Sequence, residues 1–224
     1  MLVINRVRNR FGSLRGLVAH SDALVGLATG RFRRLAALDF QRVDRVVFVC
    51  TGNICRSALA EACGNRHGLH CISAGINTRG NDPADSRICA VAQTYGLDMT
   101  AHRTRRLTDL GSSESDLFVG MEPSHIRQLL SWNCAGQLTL LGLWHSPIRP
   151  YLHDPYVASD HYVDFCVNYI CDAVTQIAKR VPSCAPPPKM TSGLYEHCRG
   201  TKAGGRSGAD GERNVNPSAK RSRT

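Results

Sequence analysis

Cys50, Arg56 and Ser57 fall in the order Cys-x5-Arg-Ser within Cys50-Thr51-Gly52-Asn53-Ile54-Cys55-Arg56-Ser57. That set of side chains suits transfer of a phosphoryl group to sulfur. A sulfur attacks phosphorus as the thiolate, which loop amides, a helix N-terminus and a guanidinium all favour. Arg56 offers a planar fork that can hold two phosphoryl oxygens, which a lysine could not. Gly52 permits the dihedrals of a tight loop. Asn53 tolerates the left-handed conformation and can lock the loop through its amide. Ser57 can give its hydroxyl proton to the sulfur. Such a transfer leaves an alkoxide or phenolate that needs a proton, so a carboxylic acid must stand over the loop. The candidate is Asp154, in His153-Asp154-Pro155-Tyr156, where the proline stiffens the chain behind it.

These groups need elements to hold them. Val46-Val47-Phe48-Val49 reads as a short buried strand, and Ser57 opens the helical run Ala58-Leu59-Ala60-Glu61-Ala62. A loop between strand and helix points several N–H groups into one concavity, backed by the positive end of the helix dipole. Further strands are expected at 70–75, 116–121 and 138–141, and helices at 57–67, 83–95, 123–130 and 162–180. The last is amphipathic, with Phe165, Tyr169, Ile170, Ala173 and Ile177 inward. Alternation of strands and helices implies an α/β fold of three layers, a central four-stranded parallel sheet with helices on both faces. Ligands of such sheets sit at the carboxyl ends of strands, where Cys50 lies.

The 224 residues carry a formal charge of +10, but unevenly. Residues 1–43 hold eight Lys/Arg against two acids, 185–224 hold eight against three, and 44–184 hold twelve against thirteen. The folded domain is therefore placed at 44–184. Residues 1–43 read as a flexible basic extension and 185–224 as a disordered basic tail rich in Pro, Gly, Ser, Lys and Arg. Deleting 1–40 and 188–224 is expected to leave the chemistry nearly intact. Basicity confined to the ends argues against a nucleic-acid binder, whose charge usually lies on the folded body. The basic arms suit contact with acidic surfaces. Ten cysteines without a Cys-x2-Cys pair or zinc spacing point away from a disulfide scaffold and from a metal site, and toward a reducing cytoplasm. No run reaches the roughly 20 apolar residues of a membrane span, and Arg15, Gly16 and Gly26 interrupt the apolar patches that a secretory signal would need.

Val-Cys-Thr-Gly-Asn-Ile-Cys-Arg-Ser resembles the phosphate loop of the low-molecular-weight protein tyrosine phosphatases, a flavodoxin-like fold, and the likeness continues through most of the chain. The resemblance implies hydrolysis of phosphotyrosine through a cysteinyl-phosphate. Cys50 would be the nucleophile, Arg56 the phosphate clamp and Asp154 the general acid, with no metal or other cofactor. It places Thr51, Gly52, Asn53, Ile54, Cys55 and Ser57 around the substrate phosphate, Tyr156 on the wall of the cleft, and Ser73 and His102 behind the loop. Cys55 matches a cysteine able to form a reversible disulfide with the nucleophile. Ser73-Ala74-Gly75, Met121-Glu122 with Ser124-His125-Ile126, and Leu141-Gly142-Leu143-Trp144 resemble the bacterial branch that serves exopolysaccharide synthesis by dephosphorylating a tyrosine kinase. Ala58 departs from that branch's proline. Three rivals stand beside this reading. Arsenate reductases of the fold rely on downstream cysteines, whereas Cys134 stands alone in its region. Arginine phosphatases carry a threonine where this chain has Ile54. A non-enzymatic phosphate-binding module would not require Cys50 and Asp154.

Overall fold

The computed structural model describes residues 2–182. Three helices open the chain, α1 (Leu2–Phe11), α2 (Leu14–Ala28) and the single turn α3 (Arg33–Ala36). Strand β1 (Arg45–Cys50), α4 (Arg56–Arg66), β2 (Cys71–Gly75) and α5 (Ser86–Thr94) follow. The remainder is β3 (Asp116–Gly120), α6 (Pro123–Ser131), β4 (Gln137–Leu140) and α7 (Asp160–Ala178). The four strands are parallel in the order β2-β1-β3-β4, as the alternation implies.

β1 is central, and its side chains alternate between two buried faces. Val46 and Phe48 pack with Leu59 and Cys63 of α4, Ile88 of α5 and Tyr169, Ile170 and Ile177 of α7. Val47 and Val49 pack with Phe118, Leu140, and Ile126 and Leu129 of α6. This second face also takes Ala23 of α2 and Phe32 just before α3. Residues 1–43 are therefore not the flexible arm that their charge suggests. A parallel sheet must be covered on both sides, the nine-residue α6 is too short to cover one alone, and the N-terminal helices supply the rest. The expected tail, 185–224, lies outside the described residues.

The strand order reverses between β1 and β3, which opens a crevice at their carboxyl ends. The loop after Cys50 and the Met121-Glu122 corner after β3 line it. Gly75, beside Cys50 in the sheet, lets that loop close down, since a Cβ there would lie 3.0 Å from the Thr51 carbonyl oxygen. Among the described residues no helix is long and apolar enough to cross a membrane.

Phe48 is fully buried at the centre of the sheet. Phe48→Ala is expected to destabilise the chain by about 3–5 kcal/mol, read from the urea midpoint. A loss below about 1 kcal/mol would place the core elsewhere.

Candidate active site

The loop from Cys50 to Arg56 is shaped by what its carbonyls do. Those of Cys50 and Thr51 accept from the N–H groups of Ile76 and Asn77, at 3.0 and 2.8 Å. The Asn53 carbonyl accepts from His102 Nε2 at 2.8 Å, and the Ile54 and Cys55 carbonyls accept from the N–H groups of Asp85 and Leu59. The Asn53 N–H points at Cys50 Sγ at 3.3 Å. Asn53 takes the left-handed conformation, with φ of 57°. Gly52 does not, and a Cβ there would meet only Ile54 at 3.5 Å. The permissive turn expected of Gly52 is thus made by Asn53, whose side chain stabilises it by its bonds.

The hydrogen-bond directions behind the loop follow from one amide. Arg105 N donates to Asn53 Oδ1 at 2.8 Å, which fixes Nδ2 as the donor to Ser57 Oγ (2.9 Å) and Ser73 Oγ (2.7 Å). Ser57 therefore has its own proton to give Cys50 Sγ, 3.0 Å away, as the sequence suggests. Ser73 passes its proton to Glu61 Oε2 at 2.5 Å, and Arg105 reaches Glu61 Oε1 at 3.1 Å. His102 Nδ1 lies 3.6 Å from Glu61. Burial disfavours the charge on Glu61, but bonds to His102 and Ser73 and the Arg105 guanidinium outweigh it and hold the carboxyl below its ordinary range. The structure brings Asn53, Ser57, Ser73 and His102 together, and adds Glu61, which accepts from Ser73 and Arg105 and lies beside His102.

Arg56 begins α4 with its side chain only 2 % exposed. Its Nη2 donates to Asp154 Oδ2 at 2.8 Å, and its Nη1 to the Leu152 carbonyl at 2.8 Å and Glu122 Oε2 at 3.3 Å. Burial opposes its charge, but Asp154, Cys50 and Glu122 more than compensate and raise its pKa. Asp154 thus stands at the clamp, partly open to solvent, with Oδ1 accepting from the Tyr156 N–H at 3.1 Å. Tyr156 itself is 55 % exposed, at the rim. Cys55 is buried at the N-cap of α4, and burial, with Asp154 and Asp85 nearby, pushes its thiol up.

Two further residues escaped sequence reasoning. Glu122, directly before Pro123, looks like an ordinary helix N-cap but reaches Arg56. His125 is buried in α6, accepts the Met121 N–H at Nδ1 (3.2 Å) and so presents Nε2–H to Thr51 Oγ1 at 3.2 Å. Burial, then the Arg56 charge, lower its pKa to about 4 against partial opposition from Glu122 and Asp154. Among the described residues no group of three or more His, Cys, Asp or Glu could hold a metal ion.

A thiol that meets a loop amide at 3.3 Å, near a buried guanidinium that also grips a carboxylate, suits cysteine-dependent phosphoryl transfer on a three-layer α/β fold. Residues 45–184 match the model of the low molecular weight phosphotyrosine protein phosphatases, and the chain belongs to that family. It is 30% identical over 144 residues to the low molecular weight protein-tyrosine-phosphatase Etp of Escherichia coli, covering 62% of this chain and 96% of that one. The structure of Vibrio vulnificus Wzb in complex with benzylphosphonate superposes with a TM-score of 0.54 at 28% identity, over 61% of this chain and 98% of that one. The arginine phosphatase YwlE from Geobacillus stearothermophilus, at 20% identity and a TM-score of 0.53 over 61% of this chain and 92% of that one, shares the fold.

The unfolded chain binds a proton on His125 near its ordinary value of 6.5, whereas the folded site resists until about 4. Stability from the neutral imidazole is therefore whole above about 6.5, declines below it, and is lost as pH falls through about 4. His125→Asn, which keeps an acceptor for the Met121 N–H, is expected to flatten the stability profile across that window in urea titrations. Parallel profiles would show that His125 does not carry the effect.

Proposed function

We propose that this chain hydrolyses phosphotyrosine in proteins, and the observation that carries the reading is the Arg56–Asp154 pair at 2.8 Å beside the Cys50 loop. Arg56 and the loop amides draw the phosphate dianion onto the sulfur. The phosphate takes over the Arg56 N–H groups and leaves Asp154 able to carry a proton; the Cys50 thiolate then forms a bond to phosphorus as the phosphorus–oxygen bond to the tyrosine breaks, and Asp154 gives the leaving phenolate that proton. Asp154 then takes a proton from the water that attacks phosphorus. The phosphorus–sulfur bond breaks, and the Ser57 hydroxyl stabilises the departing thiolate. The guanidinium and amides neutralise the charge that a metal would otherwise hold.

Ile54 and Tyr156 support an aryl substrate. Ile54 packs partly buried against the core and has no hydroxyl to orient a guanidinium leaving group, while Tyr156 stands at the rim beside Asp154. The benzylphosphonate in the Vibrio relative's structure carries an aromatic ring one methylene from its phosphonate. From the resemblance to the exopolysaccharide branch, the protein partner is taken to be a tyrosine autokinase, in the cytoplasm.

Cys50→Ser is expected to abolish turnover of para-nitrophenyl phosphate while phosphate still binds, and full activity in that variant would end the mechanism. Asp154→Ala is expected to slow turnover of phosphotyrosine, whose phenolate needs the proton, by roughly 10²–10⁴-fold, with an unchanged rate showing that another carboxylate is the acid. Assaying phosphotyrosine, phosphoserine, phosphoarginine and arsenate side by side separates the rival chemistries, and preference for any but the first overturns the substrate assignment.

A further inference from the structure

The residue preceding Asp154 is held by a part of the chain that lies outside the family match, which begins at residue 45. His153 Nε2 is 3.1 Å from Ser13 Oγ, and its Nδ1 is 3.0 Å from the Tyr151 hydroxyl. Ser13 caps α2, accepting from the Gly16 N–H at 2.9 Å, so its own proton is available to His153. The imidazole occupies a notch that only glycines leave open. A Cβ on Gly12 would lie 2.4 Å from His153 Cδ2, and one on Gly16 would lie 2.0 Å from the Phe11 carbonyl oxygen and 3.1 Å from His153 Cγ. The space remaining between hairpin and loop is about 10 Å³, room for one water at most.

Both flanks of the acid loop are tied in the same way. Upstream, the Arg149 guanidinium lies between the rings of Phe11 and Phe165, at 5.2 and 4.8 Å, and donates to the Arg10 carbonyl at 3.3 Å. Downstream, Ser159 Oγ donates to Asn9 Oδ1 at 3.0 Å. Asp154 therefore sits on an irregular segment fastened to one N-terminal hairpin before it, at its own neighbour and after it. A catalytic carboxyl misplaced by about 1 Å can cost 10²-fold in rate, so such fastening bears on chemistry.

We propose that the α1–α2 hairpin is a built-in brace that positions Asp154 for proton transfer, with Ser13 and His153 as its positioning residues. The proposal rests on the phosphatase reading above. It reverses the expectation that residues 1–40 can be removed without consequence.

The test uses the full chain with Ser13→Ala, Ser13→Thr and Gly16→Val, and a series of aryl phosphates whose phenols grow more basic. kcat/KM reports the step that breaks the phosphorus–oxygen bond. For phenyl phosphate, Ser13→Ala and Gly16→Val are expected to lower it by roughly tenfold or more. For para-nitrophenyl phosphate, whose phenolate leaves with little help, the fall is expected to stay below about threefold. Ser13→Thr keeps the hydroxyl and restores the phenyl rate, and vanadate inhibition is unchanged because the phosphate loop is untouched. Amide exchange is expected to quicken across 149–159 and not across 50–57. Equal losses over the whole series, or no change in rates and exchange, would overturn the brace. An unsubstituted chain inactive on every aryl phosphate would instead overturn the phosphatase reading, and the exchange comparison would still decide whether the hairpin holds the loop.

Discussion

A guanidinium withdrawn from water must find acceptors, and Arg56 is almost wholly withdrawn. An uncompensated buried charge costs several kcal/mol. Its acceptors come from separate parts of the chain: Glu122 after β3, and the Leu152 carbonyl and Asp154 after β4. Its two Nη groups bring the Cys50–Arg56 loop, the β3 corner and the Asp154 loop to a single point, while its buried Nε has no hydrogen-bond partner among the described residues.

The sheet makes that point reachable. β1 delivers Cys50 at the edge of the crevice, and the carbonyls after it are drawn outward by Ile76, Asn77, His102 and Asp85. The polarity of the loop is thus set from outside by segments following β2. Asn53 then works in two ways. Its backbone turns the chain through a left-handed residue, and its amide links the sulfur's hydroxyl donor to a carboxylate behind the loop. Nothing in that relay is strong alone, but each bond fixes the direction of the next.

How far the sequence discloses this depends on distance along the chain. Cys50 to Ser57 is local, so spacing reveals it, and Asp154 is marked by the Pro-Tyr that follows. The elements fall within a few residues of where periodicity puts them. Glu61, Glu122 and His125 were not legible because their roles exist only once separate elements meet. Glu122 before Pro123 has the appearance of a helix start, and His125 on an amphipathic helix has that of a core residue. The N-terminus misleads for a different reason. Eight basic residues and scattered glycines look like a solvated arm, yet Gly12 and Gly16 mark close packing, and Ala23 and Phe32 enter the core.

The acid loop shows why an irregular segment needs such help. Strands and helices position side chains by their own hydrogen bonds, whereas residues 149–159 have no ladder of their own. Leu152 donates to the Met121 carbonyl at 3.1 Å, which anchors the loop to the end of β3. Its carbonyl accepts from Arg56, and Asp154 grips the same guanidinium. Those anchors all lie toward the crevice. Arg87 of α5 adds bonds to the Tyr156 and Ala158 carbonyls, and Tyr162 and Tyr169 of α7 donate to the His153 and Arg149 carbonyls. Phe11, Ser13 and Asn9 of the N-terminal hairpin hold its outer side. A segment without a ladder is thus placed by bonds converging on it from several elements, each fixing a different carbonyl or side chain.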